Sequence, residues 1–234
     1  MNETGTNETE RSTRQERDLS VLVTGELACF TRPEMKIERV SYPAMTPSAA
    51  RGTLEAIFWK PQFDWKVNEI WILKPVRWLS IVRNEVKHKA SARITSGWAR
   101  TGGYFDSQTD HTLRHTLALR EVAYLIRATI VPKSADSSQR AAFRDQFRRR
   151  IMRGACFHRP YLGCREFAAY FSQPTGNEKP ISWTADLGMM LLDLDYGSGW
   201  SGLAQPRFFR ALIREGVLHI PGSAGQTNGC NHAA

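Results

Sequence analysis

The sequence has no long apolar run and only four cysteines. No segment approaches the roughly 18 consecutive apolar residues that a membrane-spanning helix needs, and the N-terminus is polar, unlike a secretory signal. Cys29, Cys156, Cys164 and Cys230 include no C-x-x-C pair, so neither a disulfide scaffold nor a zinc knuckle is indicated. We therefore expect no membrane contact and a reducing, cytoplasmic location.

Familiar catalytic motifs are also missing. The six histidines form no H-E-x-x-H or related metal spacing, and neither a P-loop nor a G-x-S-x-G elbow is present. Asp193 and Asp195 stand two apart in a hydrophobic run, which is more typical of a strand end than of a metal site. We predict no metal and no cofactor. A metal-independent ribonuclease needs only a base, an acid and cations around the reacting phosphate, which spacing does not reveal.

Acidic residues are scarce relative to basic ones. Lysine plus arginine outnumber aspartate plus glutamate 32 to 23, which gives a net charge of +9. Between Gln139 and Arg165 there are eight arginines and one acid, Asp145. Because each phosphate neutralised by a cation releases counterions, this imbalance favours a nucleic-acid partner. An acidic protein partner, or a merely solvated basic surface, is the alternative.

The first 61 residues predict a tail, a strand and a helix. Residues 1–17 contain no large apolar side chain after the initiator, which predicts a disordered tail. Clustered β-branched residues predict a strand over 19–30. Thr46 followed by Pro47 is a typical helix start, and we expect that helix to end at Pro61.

The next segment predicts two strands around an irregular insertion, then a second helix. We expect a long strand over 67–82, bent at Pro75, and a basic insertion at 83–111 without a clear element. A strand over 113–131 follows. From residue 137 to about Gly154, apolar residues recur every four positions beside a stripe of arginines, which predicts an amphipathic helix.

This order gives an α+β fold. The β-α-β-β-α-β sequence of elements over residues 18–174 is the split, ferredoxin-like arrangement, which RNA-recognition domains share. Residues 175–234 predict a smaller, β-rich C-terminal subdomain. Within it, PRFFRALIRE predicts a short amphipathic helix that stops at Gly216, followed by a strand in VLHI.

The loop RGACFHRPYLGCR, residues 153–165, resembles a single-stranded RNA site. It combines glycines for close backbone approach with Phe157 and Tyr161 for base stacking, although both rings are equally compatible with the core. Lys36, Arg39 and Tyr42 form a similar basic and aromatic group. The predicted RNA-binding residues are Lys36, Arg39, Tyr42, Arg51, Arg83, Arg144, Arg148, Arg149, Arg153, His158, Arg159 and Arg165.

Four blocks, in order across most of residues 19–220, resemble a known family. They are GELACFTRPEMKIERVSYPAMTPSAARGTLEAIFWKP, PVRWLSIVRNEV, FRRRIMRGACFHRPYLGCREF and DLGMMLLDLDY. Together they resemble the type I-C, or Dvulg, member of the CRISPR-associated Cas5 family. The resemblance implies a ferredoxin-like domain with a β-rich C-terminal extension.

The same resemblance implies a function. Type I-C members of the family cut CRISPR repeat RNA without a metal and then hold the 5′ handle of the product in a Cascade-type complex. Implied partners are therefore the CRISPR RNA, the backbone and large subunits, and target DNA indirectly. The arginine face, the 153–165 loop and the 83–111 insertion are the implied contact regions.

The catalytic positions of the family carry unusual residues here. Active members have a histidine or another aromatic residue just before W-K-P, and adjacent lysine and histidine shortly before F-R-R-R; these positions are Phe58, Ala142 and Phe143. None of the three can exchange a proton. Either the chain only binds RNA, or cleavage uses other residues as base or acid. The candidates for that role are His158, Tyr42, His111 and His115. A generic RNA-binding domain unrelated to CRISPR is the third alternative.

Overall fold

The structure, a computed structural model, describes residues 18–88, 91–104, 106, 108–133, 138–195 and 205–221, and the predicted tail 1–17 lies outside them. Nine strands and three α-helices make up this part of the chain. In chain order they are β1 (Leu19–Ala28), β2 (Arg39–Val40), α1 (Pro47–Ile57), β3 (Phe63–Ile72), β4 (Trp78–Val86), α2 (Ala92–Thr101), β5 (His111–Pro132), α3 (Ser138–Met152), β6 (Tyr170–Ser172), β7 (Ala185–Asp195), β8 (Gln205–Arg214) and β9 (Val217–His219).

The predicted ferredoxin-like arrangement is confirmed by the sheet. Its first four strands lie in the order β6-β1-β5-β3, and each neighbouring pair is antiparallel. The crossovers from β1 to β3 and from β5 to β6 carry α1 and α3. Both helices contribute to the core: Leu54 and Ile57 of α1 and Phe147 of α3 are fully buried. The α+β class expected from the sequence is therefore correct.

The long strand expected over 67–82 is two strands. β3 ends at Ile72, and β4 begins at Trp78, beyond Pro75, whose ring removes a ladder donor. Both strands pair with β5, whose 22 residues are long enough to serve β3 along one half and β4 along the other. Glu121, between the two halves, has a positive φ of 55°, which marks a local kink in β5.

The insertion at 83–111 has more regular structure than we predicted. Its start completes β4, its end begins β5, and α2 lies between them. Ser91 caps α2 by accepting a hydrogen bond from the Ile94 N–H at 3.3 Å. No residue of α2 is buried, so α2 and the β4–β5 ribbon project from the core.

The helix start at Thr46 is confirmed, but its predicted end is not. The Thr46 hydroxyl accepts from the Ala49 N–H at 3.3 Å, and Pro47 occupies the first helical position. α1 ends at Ile57, because Phe58 takes an extended conformation in which its carbonyl accepts from the Trp65 indole at 2.8 Å. Pro61 therefore follows the end of the helix by several residues.

The prediction of a helix in PRFFRALIRE is wrong, because that segment forms β8. Phe209, Ala211 and Ile213 are buried at every second position, as one face of a strand requires. Pairing with β7 decides between the helical and strand patterns, since it satisfies the backbone groups along most of the segment. Gly216 sits with a positive φ of 73° in the turn to β9 instead of stopping a helix.

The C-terminal strands extend the same sheet. β9 pairs with β3 and continues the order as β3-β9-β8-β7, in agreement with the predicted β-rich extension. The strand expected in VLHI is β9. The division at residue 174 stays a prediction. Among the described helices, none is long and apolar enough to cross a bilayer.

Candidate nucleic-acid interface

Contacts between α3, the loop after it and the end of α1 position the candidate site. Arg150 of α3 donates from Nε to the Ile57 carbonyl at 2.7 Å. The Phe157 N–H donates to the Ala56 carbonyl at 2.8 Å. These bonds satisfy carbonyls that the last turn of α1 leaves without helical partners. The end of α1 thereby fixes both α3 and the start of the loop.

The family's catalytic positions come together beside this junction. Phe58 and Phe143 both pack on Phe63, with ring centroids 5.3 and 5.2 Å apart, and both rings are buried. The Lys60 ammonium lies 5.9 Å from the centre of the Phe58 ring and 5.2 Å from that of Phe143. Ala142 is exposed on the neighbouring position of α3. The positions meet as the resemblance implies, but their side chains form an apolar cluster under one cation.

The predicted arginine face of α3 is present on the surface. Arg148, Arg149 and Arg153 are exposed, and Arg144 is half-buried. Asp145, the one acid of the helix, lies 3.6 Å from Arg148. Within the described part of the chain, the buried Nε atoms of Arg140 and Arg144 have no hydrogen-bond partner. The exposed guanidinium groups of Arg149 and Arg153, for which no ion pair is found among the described residues, carry the positive charge that attracts phosphate oxygens.

Aromatic rings are exposed along the loop and the strand that follows it. Phe157 is 61% exposed, Tyr161 is 38% exposed and Tyr170 is 56% exposed, so the core alternative for Phe157 and Tyr161 is excluded. Guanidinium groups flank two of these rings: Arg150 lies 4.5 Å from the centre of Phe157 and Arg159 lies 5.7 Å from that of Tyr170. Exposed rings beside arginines suit the stacking of unpaired bases.

We call this region the arginine–aromatic surface. Its exposed side chains, all on α3, the following loop or β6, are Arg148, Arg149, Arg153, Phe157, His158, Arg159, Tyr161, Arg165 and Tyr170.

Gly163 allows the loop to pack closely against the backbone at the end of β1. Gly163 has a positive φ of 84°, and a Cβ at this position would lie 2.0 Å from the Cys29 carbonyl oxygen. The adjacent Leu162 is buried, and its carbonyl accepts from the Cys29 N–H at 3.0 Å. The alternation of a buried Leu162 with exposed Tyr161 and Arg165 is therefore set by this docking.

Three other predicted RNA-binding arginines are held by acids. Arg39 pairs with Glu85 at 3.2 Å, and Arg83 pairs with Glu85 and Glu166 at 2.9 Å each. Arg51 contacts Glu55 at 3.4 Å and also Asp193. Because these charges are already compensated, they are less available to a polyanion than those of α3. The pairing also gives Asp193 the structural role that we expected for a strand residue.

Lys36 and Tyr42, the other predicted contacts of the N-terminal segment, differ in accessibility. Lys36 is exposed after a 3₁₀ turn at Pro33–Met35. Tyr42 is 1% exposed, its hydroxyl donates to the Met189 carbonyl at 3.3 Å, and Arg32 stacks on its ring at 4.9 Å. Burial raises the pKa of the Tyr42 phenol above its usual range, which disfavours a role as base.

The candidate histidines lie in different places. His111 and His115 are exposed on the β4–β5 ribbon, opposite Val86 and Val82. His158 is exposed on the arginine–aromatic surface, one residue after the backbone bond that ties the loop to α1. His158 is therefore the candidate placed beside the junction of α1 and α3. In the described ranges, no group of three or more His, Cys, Asp or Glu side chains is arranged to hold a metal ion.

Sequence reasoning missed three residues of this site. Lys60 belongs to the W-K-P motif and Arg150 to F-R-R-R, yet neither was selected. The role of Arg150 depends on a backbone carbonyl of another helix, which spacing within α3 cannot reveal. Tyr170 lies beside Arg159 because the loop folds back on itself, with a β-bridge between Tyr161 and Ala168. The signal for Tyr170 that the sequence does contain is an aromatic residue shortly after a loop with glycines.

Known proteins resemble this chain over most of its length. A Thermus thermophilus protein named CRISPR pre-crRNA endoribonuclease Cas5d is 42% identical over 218 residues, covering 87% of this chain and 91% of the relative. A Mannheimia succiniciproducens protein of the same name is 41% identical over 210 residues, with 84% and 92% coverage.

A solved structure has the same fold. It is titled "Crystal Structure of CRISPR-associated Protein", superposes with a TM-score of 0.62 and is 21% identical, covering 88% of this chain and 92% of the other. The family model described as CRISPR-associated protein (Cas_Cas5) matches residues 18–221. The chain therefore belongs to the CRISPR-associated Cas5 family, as the motifs of its sequence indicate.

Proposed function

We propose that this chain recognises CRISPR repeat RNA and holds the 5′ handle of the CRISPR RNA within a Cascade-type complex. The observation that carries the proposal is the arginine–aromatic surface, where exposed arginines of α3 continue into exposed rings of the loop. Cations can follow a phosphate backbone while rings stack on its bases, which is how single strands are bound. The names of the two relatives support the repeat as the RNA.

The proposal also specifies the protein partners of the chain and its location in the cell. The backbone and large subunits of the complex are the expected protein partners, and target DNA is contacted indirectly through the bound RNA. The β4–β5 ribbon with α2, which projects from the core, is the proposed contact with a neighbouring subunit. A cytoplasmic location follows from the proposed RNA partner.

Binding without the family's cleavage chemistry is favoured by the apolar cluster. A general base must reach the ribose 2′-OH, and an acid must reach the leaving oxygen. Phe58 and Phe143 are buried and have no titratable group, and Ala142 has no functional group. Lys60 and Arg150 can still stabilise phosphate charge beside this cluster, which aids holding as well as cutting.

A second candidate function is cleavage through His158. Its exposed imidazole, beside the junction where the family's catalytic positions meet, favours this over the buried Tyr42 or the ribbon histidines. In that scheme His158 takes the 2′-OH proton, and Lys60 and Arg150 stabilise the phosphorane charge. The product would carry a 2′,3′-cyclic phosphate.

One experiment distinguishes the two functions. Purified chain is incubated with end-labelled repeat RNA in EDTA, and binding and cleavage are measured on the same samples. We expect tight, salt-sensitive binding and intact RNA; binding no stronger than to a shuffled RNA of equal length would contradict the proposal. A discrete cut would establish the second candidate, provided that His158→Ala abolishes it and His219→Ala, on β9, does not.

A further inference from the structure

Two thiols that the proposed function does not use lie in contact beneath the arginine–aromatic surface. Cys29 directly follows β1 and is 0% exposed, and Cys164 lies in the docked loop and is 8% exposed. The Cys164 thiol donates to the Cys29 carbonyl oxygen at 3.8 Å, which places the two cysteines side by side. They are 135 positions apart in the chain, so only the fold brings them together.

A cation contacts one sulfur of the pair. Arg39 donates from Nη1 to the Cys164 sulfur at 3.5 Å, while its other nitrogen pairs with Glu85. A hydrogen bond from the Cys29 thiol and the charge of Arg39 lower the pKa of Cys164 below its usual range, although burial and the nearby Glu166 oppose the shift. The same hydrogen bond, with burial, raises the pKa of Cys29. A cysteine sulfur that contacts a guanidinium and lies beside a second cysteine is the arrangement of oxidisable cysteine pairs.

We propose that Cys29 and Cys164 form a reversible disulfide when the chain meets a peroxide. The Cys164 thiolate attacks one peroxide oxygen, and the O–O bond breaks. Hydroxide departs, and Cys164 becomes a sulfenic acid. The Cys29 sulfur then displaces the sulfenic hydroxyl, and the Cys29 proton converts the departing hydroxide to water. Overall, two thiols and hydrogen peroxide give one disulfide and two waters.

The bond would change the loop and its surroundings in a defined way. It would replace the hydrogen-bonded contact between the loop and β1 by a covalent one, next to the glycine that already docks there. It would also place the Cys164 sulfur that Arg39 contacts in a neutral disulfide, which leaves Glu85 as the anionic partner of that guanidinium. The proposal does not depend on RNA binding, since its chemistry involves only these side chains.

Peptide mapping of the full-length chain tests the proposal. Reduced protein is treated briefly with peroxide, the remaining thiols are alkylated in denaturant, and non-reducing digests are examined by mass spectrometry. We expect a peptide that links Cys29 to Cys164, is lost on treatment with dithiothreitol, and does not form when the protein is denatured before oxidation. Cys156→Ser should form the same link.

Two results would overturn the proposal. One is recovery of both Cys29 and Cys164 as alkylated thiols after peroxide treatment, when Cys156 or methionines of the same sample are oxidised. The other is a link that involves Cys156 or Cys230 instead. Cys29→Ser provides a further readout: without its partner, Cys164 should accumulate as sulfinic acid, which the wild-type chain should not show.

Discussion

At the residue scale, Arg150 differs from the arginines on either side of it. Arg148 and Arg149 are exposed, whereas Arg150 is half-buried and bonded to the buried end of α1. The FRRR stretch therefore contains two arginines that face solvent and one, Arg150, that holds α3 against the end of α1. Helical geometry separates them, because consecutive positions point about 100° apart around α3.

Removing Arg150 should therefore reduce stability. We expect Arg150→Ala to lower the free energy of unfolding by about 1–3 kcal/mol, since the Ile57 carbonyl loses its partner in a buried place. The loss of stacking on Phe157 adds to this cost. Urea denaturation measures the effect. Arg149→Ala is the matched control and should stay within about 0.5 kcal/mol of wild type.

Gly163 should tolerate a side chain less well than Gly176. Both have a positive φ, of 84° and 87°, but a Cβ at Gly163 would collide with the Cys29 backbone, whereas nothing lies near a Cβ at Gly176. We expect Gly176→Ala to cost about 1–2 kcal/mol from backbone strain alone. Gly163→Ala should cost more than about 3 kcal/mol, because the loop must also leave β1. Equal losses in thermal or urea denaturation would contradict the docking described above.

At the element scale, α3 supplies the charge of the proposed interface. Arg148→Ala with Arg149→Ala should weaken repeat RNA binding, and the slope of log affinity against log salt should fall by up to about 1.4, since each phosphate contact to a single strand contributes roughly 0.7. Lys74→Ala with Arg214→Ala removes the same charge near the far end of β3 and should leave the slope unchanged. An unchanged slope in the α3 variant would assign that face to a protein contact.

Elements could be predicted from the sequence where local signals and tertiary pairing agree. At α1, the Thr46 cap, Pro47 and an apolar stripe all favour a helix, and a helix forms. In β8, the apolar residues fit both a helical stripe and alternation, and only pairing with β7 decides. The candidate site shows the same limit: exposed Arg148 and Arg149 follow from the helical period, but the ion pairs of Arg39 and Arg83 depend on partners far along the chain.

At the scale of the whole molecule, one sheet connects the regions that the sequence suggests as separate. β5 joins the ferredoxin-like strands to the projecting ribbon, and β3 joins them to the C-terminal hairpin. The arginine–aromatic surface lies on α3, β6 and the loop between them, and the ribbon contacts that loop where Arg83 pairs with Glu166. In the proposed complex, a neighbouring subunit binds the ribbon while RNA binds the arginine–aromatic surface.

Ultraviolet cross-linking of repeat RNA to the full-length chain tests the central claim most directly, because it reports which side chains lie against the bases. We predict cross-linked peptides that contain Phe157, Tyr161 or Tyr170, and their loss in 1 M salt, where phosphate contacts are screened to a Debye length of about 3 Å. Cross-links confined to the β4–β5 ribbon or to β8, with none between residues 153 and 170, would contradict the account.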